Sequence, residues 1–115
     1  MSDISKELMG ASSIPMILSI LQNGDSYGYE IMQKLKEISN GKIIWKEGSL
    51  YPVLKKLEKS GLIKSYWNIK DYDRHRKYYK IASKGQKMLE KEKSDWELMQ
   101  NIFEKLWKST QPASI

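Results

Sequence analysis

The chain has 115 residues, 40% of them hydrophobic and 30% charged, with a formal net charge of +6 and no cysteine. That length supports one domain whose core would gain from a dimer partner, and the balance is that of a folded globular protein, not a disordered one. Disulfides and thiolate metal sites are excluded, no apolar run approaches the ~18 residues of a membrane span, and no signal peptide is legible, so a cytoplasmic protein is the default expectation.

In chain order, the first eleven residues carry only the hint of an amphipathic turn at Ile4, Leu8 and Ala11. Ser12 or Ser13 can cap a helix, Pro15 fits a first turn, and the residues from Ile14 onward are apolar, which predicts a helix over 12–22 stopped by Asn23 and Gly24. Asp25 or Ser26 then caps a second helix running to residue 39, with Ile31, Leu35 and Ile38 on its buried stripe and Asn40 and Gly41 as its stop. The β-branched pair Ile43 and Ile44 makes 42–45 read as a short strand.

Residues 48–63, GSLYPVLKKLEKSGLI, describe a helix with a marked start and stop. Ser49 can accept a bond from an orphan N–H as the cap, Pro52 falls in the first turn, and Gly61 supplies the left-handed residue that ends it. Leu50, Val53, Leu54 and Leu57 form the buried stripe, while Tyr51, Lys55, Lys56 and Lys59 point elsewhere. Beyond it, 62–69 and 75–82 read as two strands around the polar turn 70–74, a β-hairpin. Neighbours on a strand face opposite ways, so at least one of Tyr78 and Tyr79 faces the core.

From residue 84 to about 109 the pattern is one long helix, about 38 Å at 1.5 Å per residue. Counted in sevens, Leu89, Trp96 and Phe103 share one position and Met99 and Leu106 the other, with Glu92 as the exception. Such a seam packs on another helix. We expect one part to fold back on helices 12–22 and 26–39 and the rest to meet a second copy, most simply two-fold. Residues 111–115 are expected to fray.

The order helix, helix, short strand, helix, hairpin is that of a winged helix-turn-helix, a mostly α, α+β fold with a long C-terminal dimerisation helix. In it the third helix enters the major groove and the hairpin, the wing, lies against the backbone or minor groove. The expected division is a DNA-binding domain at 1–83, a dimerisation helix at 84–110 and the tail at 111–115. Charge agrees with order: residues 49–83 hold nine Lys and Arg against three acids, whereas 1–48 sum to −1 and 84–115 to +1. A positive field so localised suits a polyanion.

On the third helix, Ser49, Tyr51 and Lys55 lie toward the end that meets base edges, and Lys56 and Lys59 suit phosphates. Its front has no Arg, Asn or Gln to make bidentate base contacts, so specificity leans on Tyr51, the wing and DNA shape. In the hairpin, Arg74, Arg76 and Lys77 flank His75 and reach toward phosphates; the competing reading is a charged edge that resists aggregation. His75 is the sole histidine and no phosphate-binding glycine loop occurs. No catalytic constellation, metal site or cofactor is expected, and no enzyme. Trp96 sits between Glu92 and Gln100, four residues away on either side; it either packs in the seam or walls a cavity between subunits.

The strings DSYGYEI, GSLYPVLKKLEKSGLI and RKYYKIASKG, followed by a terminal helix with a central Trp, resemble the PadR family of bacterial winged-helix transcription regulators over about residues 12–108. The short single terminal helix is similar to the subfamily typified by the lactococcal multidrug-binding repressor. The resemblance implies a homodimeric repressor on a pseudo-palindromic operator, released by a planar aromatic ligand. It places Tyr51 and Lys55 at the operator groove and Arg74, Arg76 and Lys77 at its backbone. Trp96 matches the tryptophan that, with its dimer mate, sandwiches planar drugs. Ala82 and Ser83 stand where the family often has a threonine, and Gln100 where the drug-binding member has an acid, with Glu92 as the substitute. The rival readings are a winged-helix protein-interaction module and a small RNA-binding protein.

Overall fold

Four helices and a three-stranded antiparallel sheet make up the computed structural model, which describes residues 4–68 and 76–109. The order is α1 (Lys6–Gln22), β1 (Ser26–Tyr27), α2 (Gly28–Ile38), α3 (Glu47–Lys59), β2 (Ile63–Asn68), β3 (Arg76–Ile81) and α4 (Ser83–Ser109). This is the winged-helix arrangement expected from the sequence. Arg74, His75, the turn at 70–74 and the tail at 111–115 lie outside the described residues.

α1 begins well before the expected start. Ser5, not Ser12 or Ser13, is the cap: its Oγ accepts the Leu8 N–H at 3.2 Å, and Glu7 in the first turn complements the helix dipole. Pro15 therefore lies inside the helix, where the Ala11 carbonyl loses its helical donor. Ile17, Leu18, Ile20 and Leu21 carry the buried face.

Neither Asp25 nor Ser26 caps α2. Ser26 and Tyr27 are extended and pair with Tyr79 and Tyr78, and the fully buried Ser26 hydroxyl donates instead to Glu30 Oε1 at 2.6 Å. Ile31 and Leu35 are buried, but Ile38, expected beside them, is 77% exposed, since the helix ends there. Its stop is as read: Asn40 takes the left-handed φ of 55°, with its N–H on Glu37 O and the Gly41 N–H on Lys36 O.

No strand forms at 42–45. The sheet order is β1-β3-β2, so both edges of central β3 are taken by β1 and β2. Ile43 and Trp45 instead press on the core from an irregular link, held where the Ile43 N–H donates to Ser39 Oγ at 2.8 Å.

α3 starts at Glu47, two residues before the expected cap; Ser49 is exposed in its first turn, and Pro52 falls in its second. Leu50, Leu54 and Leu57 are buried and Val53 is half-buried, as the stripe requires. Gly61, at φ 77°, ends it, with the Gly61 N–H on Glu58 O and the Leu62 N–H on Leu57 O, both 3.0 Å. The hairpin pairs in register from Ile63 opposite Ile81 to Asn68 opposite Arg76. Tyr79 enters the core and Tyr78 does not.

The first part of α4 docks on the domain. Leu89 is buried in the same core as Ile17, Leu18 and Leu21, Lys84 Nζ donates to Ser60 O at 2.9 Å, and Lys93 Nζ to Gln22 Oε1 at 3.0 Å. Leu89 therefore belongs to its own chain's core, not to an outward seam. Trp96, Met99, Phe103 and Leu106 remain exposed.

Candidate nucleic-acid interface

The two faces of the hairpin have different chemistry, because residues directly opposite in the ladder share a face. Ser65, Trp67, Lys77 and Tyr79 share the face that carries the buried Tyr79 and the contact with Glu58 of α3. Lys64, Tyr66, Asn68, Arg76, Tyr78 and Lys80 form the outer face. There Tyr27, Tyr78 and Tyr66 make a row with ring centroids 5.2 and 5.8 Å apart, and the Arg76 guanidinium lies 4.4 Å from the Tyr27 ring centre. Tyr66 Oη donates to Asp25 Oδ2 at 2.6 Å, a bond that, with lost solvent and the Asp25 charge, pushes its phenol up to about 12.

The α3-facing side is pinned by Glu58. Its carboxylate accepts the Ser65 hydroxyl and stands 3.7 Å from Lys77 Nζ, while Lys77 Nζ lies 5.7 Å from the Tyr79 ring centre. Burial, then the Glu58 charge, pushes the Tyr79 phenol up. Lys77, read from the sequence as a phosphate contact, thus has an internal carboxylate partner that ties the wing to α3.

Tyr51 occupies a cleft of about 920 Å³ with Tyr27, Gly28, Tyr29, Trp67, Arg76, Lys77 and Tyr79. Gly28 makes this possible: a methyl group there would stand 2.7 Å from Tyr51 Cζ, so the tyrosine packs across the start of α2. Ser49, Lys55, Lys56 and Lys59 are exposed along α3. The structure therefore brings Tyr51, Arg76 and Lys77 to one cleft beside a lysine-bearing helix. Sequence reading missed Tyr29 and Trp67, both more than 60% exposed on this cleft; the alternation of 62–69 was the signal that could have placed Trp67.

A second concavity, about 600 Å³, lies on α4 and the facing Ala11 of α1. Glu92, Trp96 and Gln100 all line it, with Asp95, Met99, Phe103 and Trp107 added by the structure. Phe103 and Trp107 stack at 5.2 Å. Among the described residues no group of three or more His, Cys, Asp or Glu comes together, and no helix is long and apolar enough to cross a membrane.

The model of the transcriptional regulator PadR-like family matches residues 17–91, from the core of α1 through the docked part of α4. The Lysinibacillus sphaericus protein named "Uncharacterized protein X" is 34% identical over 89 residues, covering 77% of this chain and 82% of that protein. A transcriptional regulator from Clostridium thermocellum superposes with a TM-score of 0.78 at 34% identity, over 87% of this chain and 97% of its own. A PadR family transcription regulator from Clostridium difficile R20291 does so with a TM-score of 0.72 at 34% identity, over 84% and 98%.

Proposed function

This chain belongs to the transcriptional regulator PadR-like family and is a DNA-binding transcription regulator, not an enzyme; from that premise we propose that it is a homodimeric repressor of a pseudo-palindromic operator. The observation that carries the reading is the agreement of fold and field: the excess of nine cations over three acids falls on α3 and the hairpin. Residues 1–83 act as the DNA-binding domain and 84–110 as the dimerisation helix. Tyr51, Lys55 and Ser49 face base edges, Lys56, Lys59, Arg74 and Arg76 face phosphates, and Lys77 holds the wing in place. Trp96, Met99, Phe103 and Leu106 meet the second copy.

Release by a planar aromatic ligand is supported by the α4 concavity, whose walls are Trp96, Phe103 and Trp107 with Glu92, Asp95 and Gln100 at hand. The likeness to the lactococcal multidrug-binding subfamily implies that Trp96 and its dimer mate close such a site on a planar ligand. Glu92 and Asp95 supply acids although position 100 is Gln.

The test is enrichment of genomic fragments by the full chain at low salt, followed by footprinting. A duplex with an inverted repeat is expected, with log affinity falling linearly against log salt, and Lys56→Ala flattening that slope by about 0.9 without changing site preference. Enrichment of no duplex, or of RNA or protein alone, would refute the reading. Titration of planar aromatics should quench tryptophan fluorescence in the parent and not in Trp96→Ala; equal quenching in both removes Trp96 from the ligand site.

A further inference from the structure

The outer face of the wing carries charge that the α3 docking mode leaves unused. Lys64 and Lys80 stand directly opposite each other in the β2–β3 ladder, an arrangement in which like charges repel and weaken the pairing. Both are exposed, and among the described residues neither has an ion-pair or hydrogen-bond partner. Arg76 lies on the same face four ladder steps nearer the turn, about 13 Å away at 3.3 Å per residue. The acid of this neighbourhood, Asp25, holds the Tyr66 hydroxyl. Two lysines thus stand together on this face, with the stacked rings of Tyr66 and Tyr78 between them and Arg76, which lines the Tyr51 cleft.

We propose that this face is a basic ramp for the phosphate backbone of DNA flanking the operator, held against the wing when the flank bends toward the protein. The inference rests on α3 docking to a duplex, as proposed above. Lys64 and Lys80 are on the face opposite to the one that Glu58 ties to α3 and, unlike Arg76, do not line the Tyr51 cleft, so they are left for phosphates outside the groove that α3 enters. A flank of the same duplex is the polyanion with the highest effective concentration once α3 is bound. The contacts offset the bending energy, and they report no sequence beyond the ease with which the flank deforms.

The experiment uses the footprinted duplex in two lengths, the protected core and the core extended by about one helical turn (~10 base pairs) on each side. Affinity is measured for the parent and for Lys64→Gln/Lys80→Gln, with end-to-end energy transfer as the report of bending. The parent should bind the long duplex about tenfold more tightly than the core and shorten its end-to-end distance. In the double variant this gain and the shortening should vanish, and the salt slope on the long duplex should flatten by about 1.8, or 0.9 for each phosphate contact. Core binding should change less than about twofold, a local effect within the Debye length. The variant relieves a repulsion, so its melting temperature should hold or rise. Equal losses on both lengths, or no flank-dependent gain in the parent, would overturn the ramp while leaving core recognition standing. Capture of a second duplex or an acidic protein through these lysines, with no bending, would overturn it in favour of bridging or a protein partner. Failure of the parent to bind the core would instead count against the reading of α3.

Discussion

Gly28 decides where Tyr51 sits, although the two are far apart in sequence and on different helices. The absent side chain at the start of α2 leaves the space that the phenol fills, and alanine is the better helix former, by up to about 1 kcal/mol. Gly28→Ala is therefore expected to keep its fold and displace Tyr51. In binding assays it should lose preference for cognate over random duplex as Tyr51→Ala does, and the double variant should be no worse than either. Full discrimination in Gly28→Ala would refute a specifying role for the packed phenol. Tyr66 offers a test of the outer face. Its phenol is raised from 10.0 to about 12, so the folded state holds the proton more tightly than the unfolded one. The linked stability is complete below about pH 10 and disappears as pH climbs toward 12. Asp25→Asn should bring that phenol back toward the ordinary range in an ultraviolet titration of phenolate; a late-ionising phenol that persists would place its cause elsewhere.

At the scale of elements, Glu58 links α3 to both strands of the wing, taking the Ser65 hydroxyl from β2 and facing Lys77 of β3. The pair is partly exposed, at 42% and 37% of its side chains, so its stabilising effect on the fold is small, about 0–1 kcal/mol. Its consequence is geometric. Lys77→Gln should leave the salt slope on duplex DNA within about 0.3, unlike the shift near 0.9 for Lys56→Ala. Glu58→Gln frees a cation and should raise affinity for random duplex while narrowing the cognate-to-random ratio. Partial recovery of that ratio in the exchanged pair Glu58→Lys/Lys77→Glu distinguishes a positioning role from general loss of an acid. A salt slope that falls by a full phosphate in Lys77→Gln would return Lys77 to the backbone contacts.

For the whole molecule, the longest dimension is 70 Å and the radius of gyration is 17.5 Å, against about 13 Å for a compact chain of this length. The excess is the outer part of α4, whose exposed Trp96, Met99, Ile102 and Phe103 make an apolar side on a terminal arm. A patch of that kind marks an interaction surface, and a seam spaced in sevens suits a second copy of the same helix. Phe103→Glu lies outside the buried core, so it should leave the winged-helix domain folded while weakening the dimer by about 2 kcal/mol or more. Sedimentation equilibrium is the measurement: the parent is expected to dimerise as proposed, and the same association in Phe103→Glu would remove the seam from the interface.

The sequence by itself determined the helix count, the hairpin, the stripe of α3 and the location of the charge, because periodicity, turn residues and ionisation are local properties. Gly61 and Asn40 stopped their helices as read, since a left-handed residue at a helix end is a matter of one backbone position. What only the tertiary structure decided was which partner each local candidate found. Residues 42–45 lost the edge of β3 to Ser26 and Tyr27, since a strand exists only through its ladder. Ser26 had a hydroxyl fit for a cap and was drawn into the sheet. Lys77 met a carboxylate, Leu89 met its own core, and Tyr51 met a glycine from another helix. In each case the residue type allowed several roles, and long-range contact selected one.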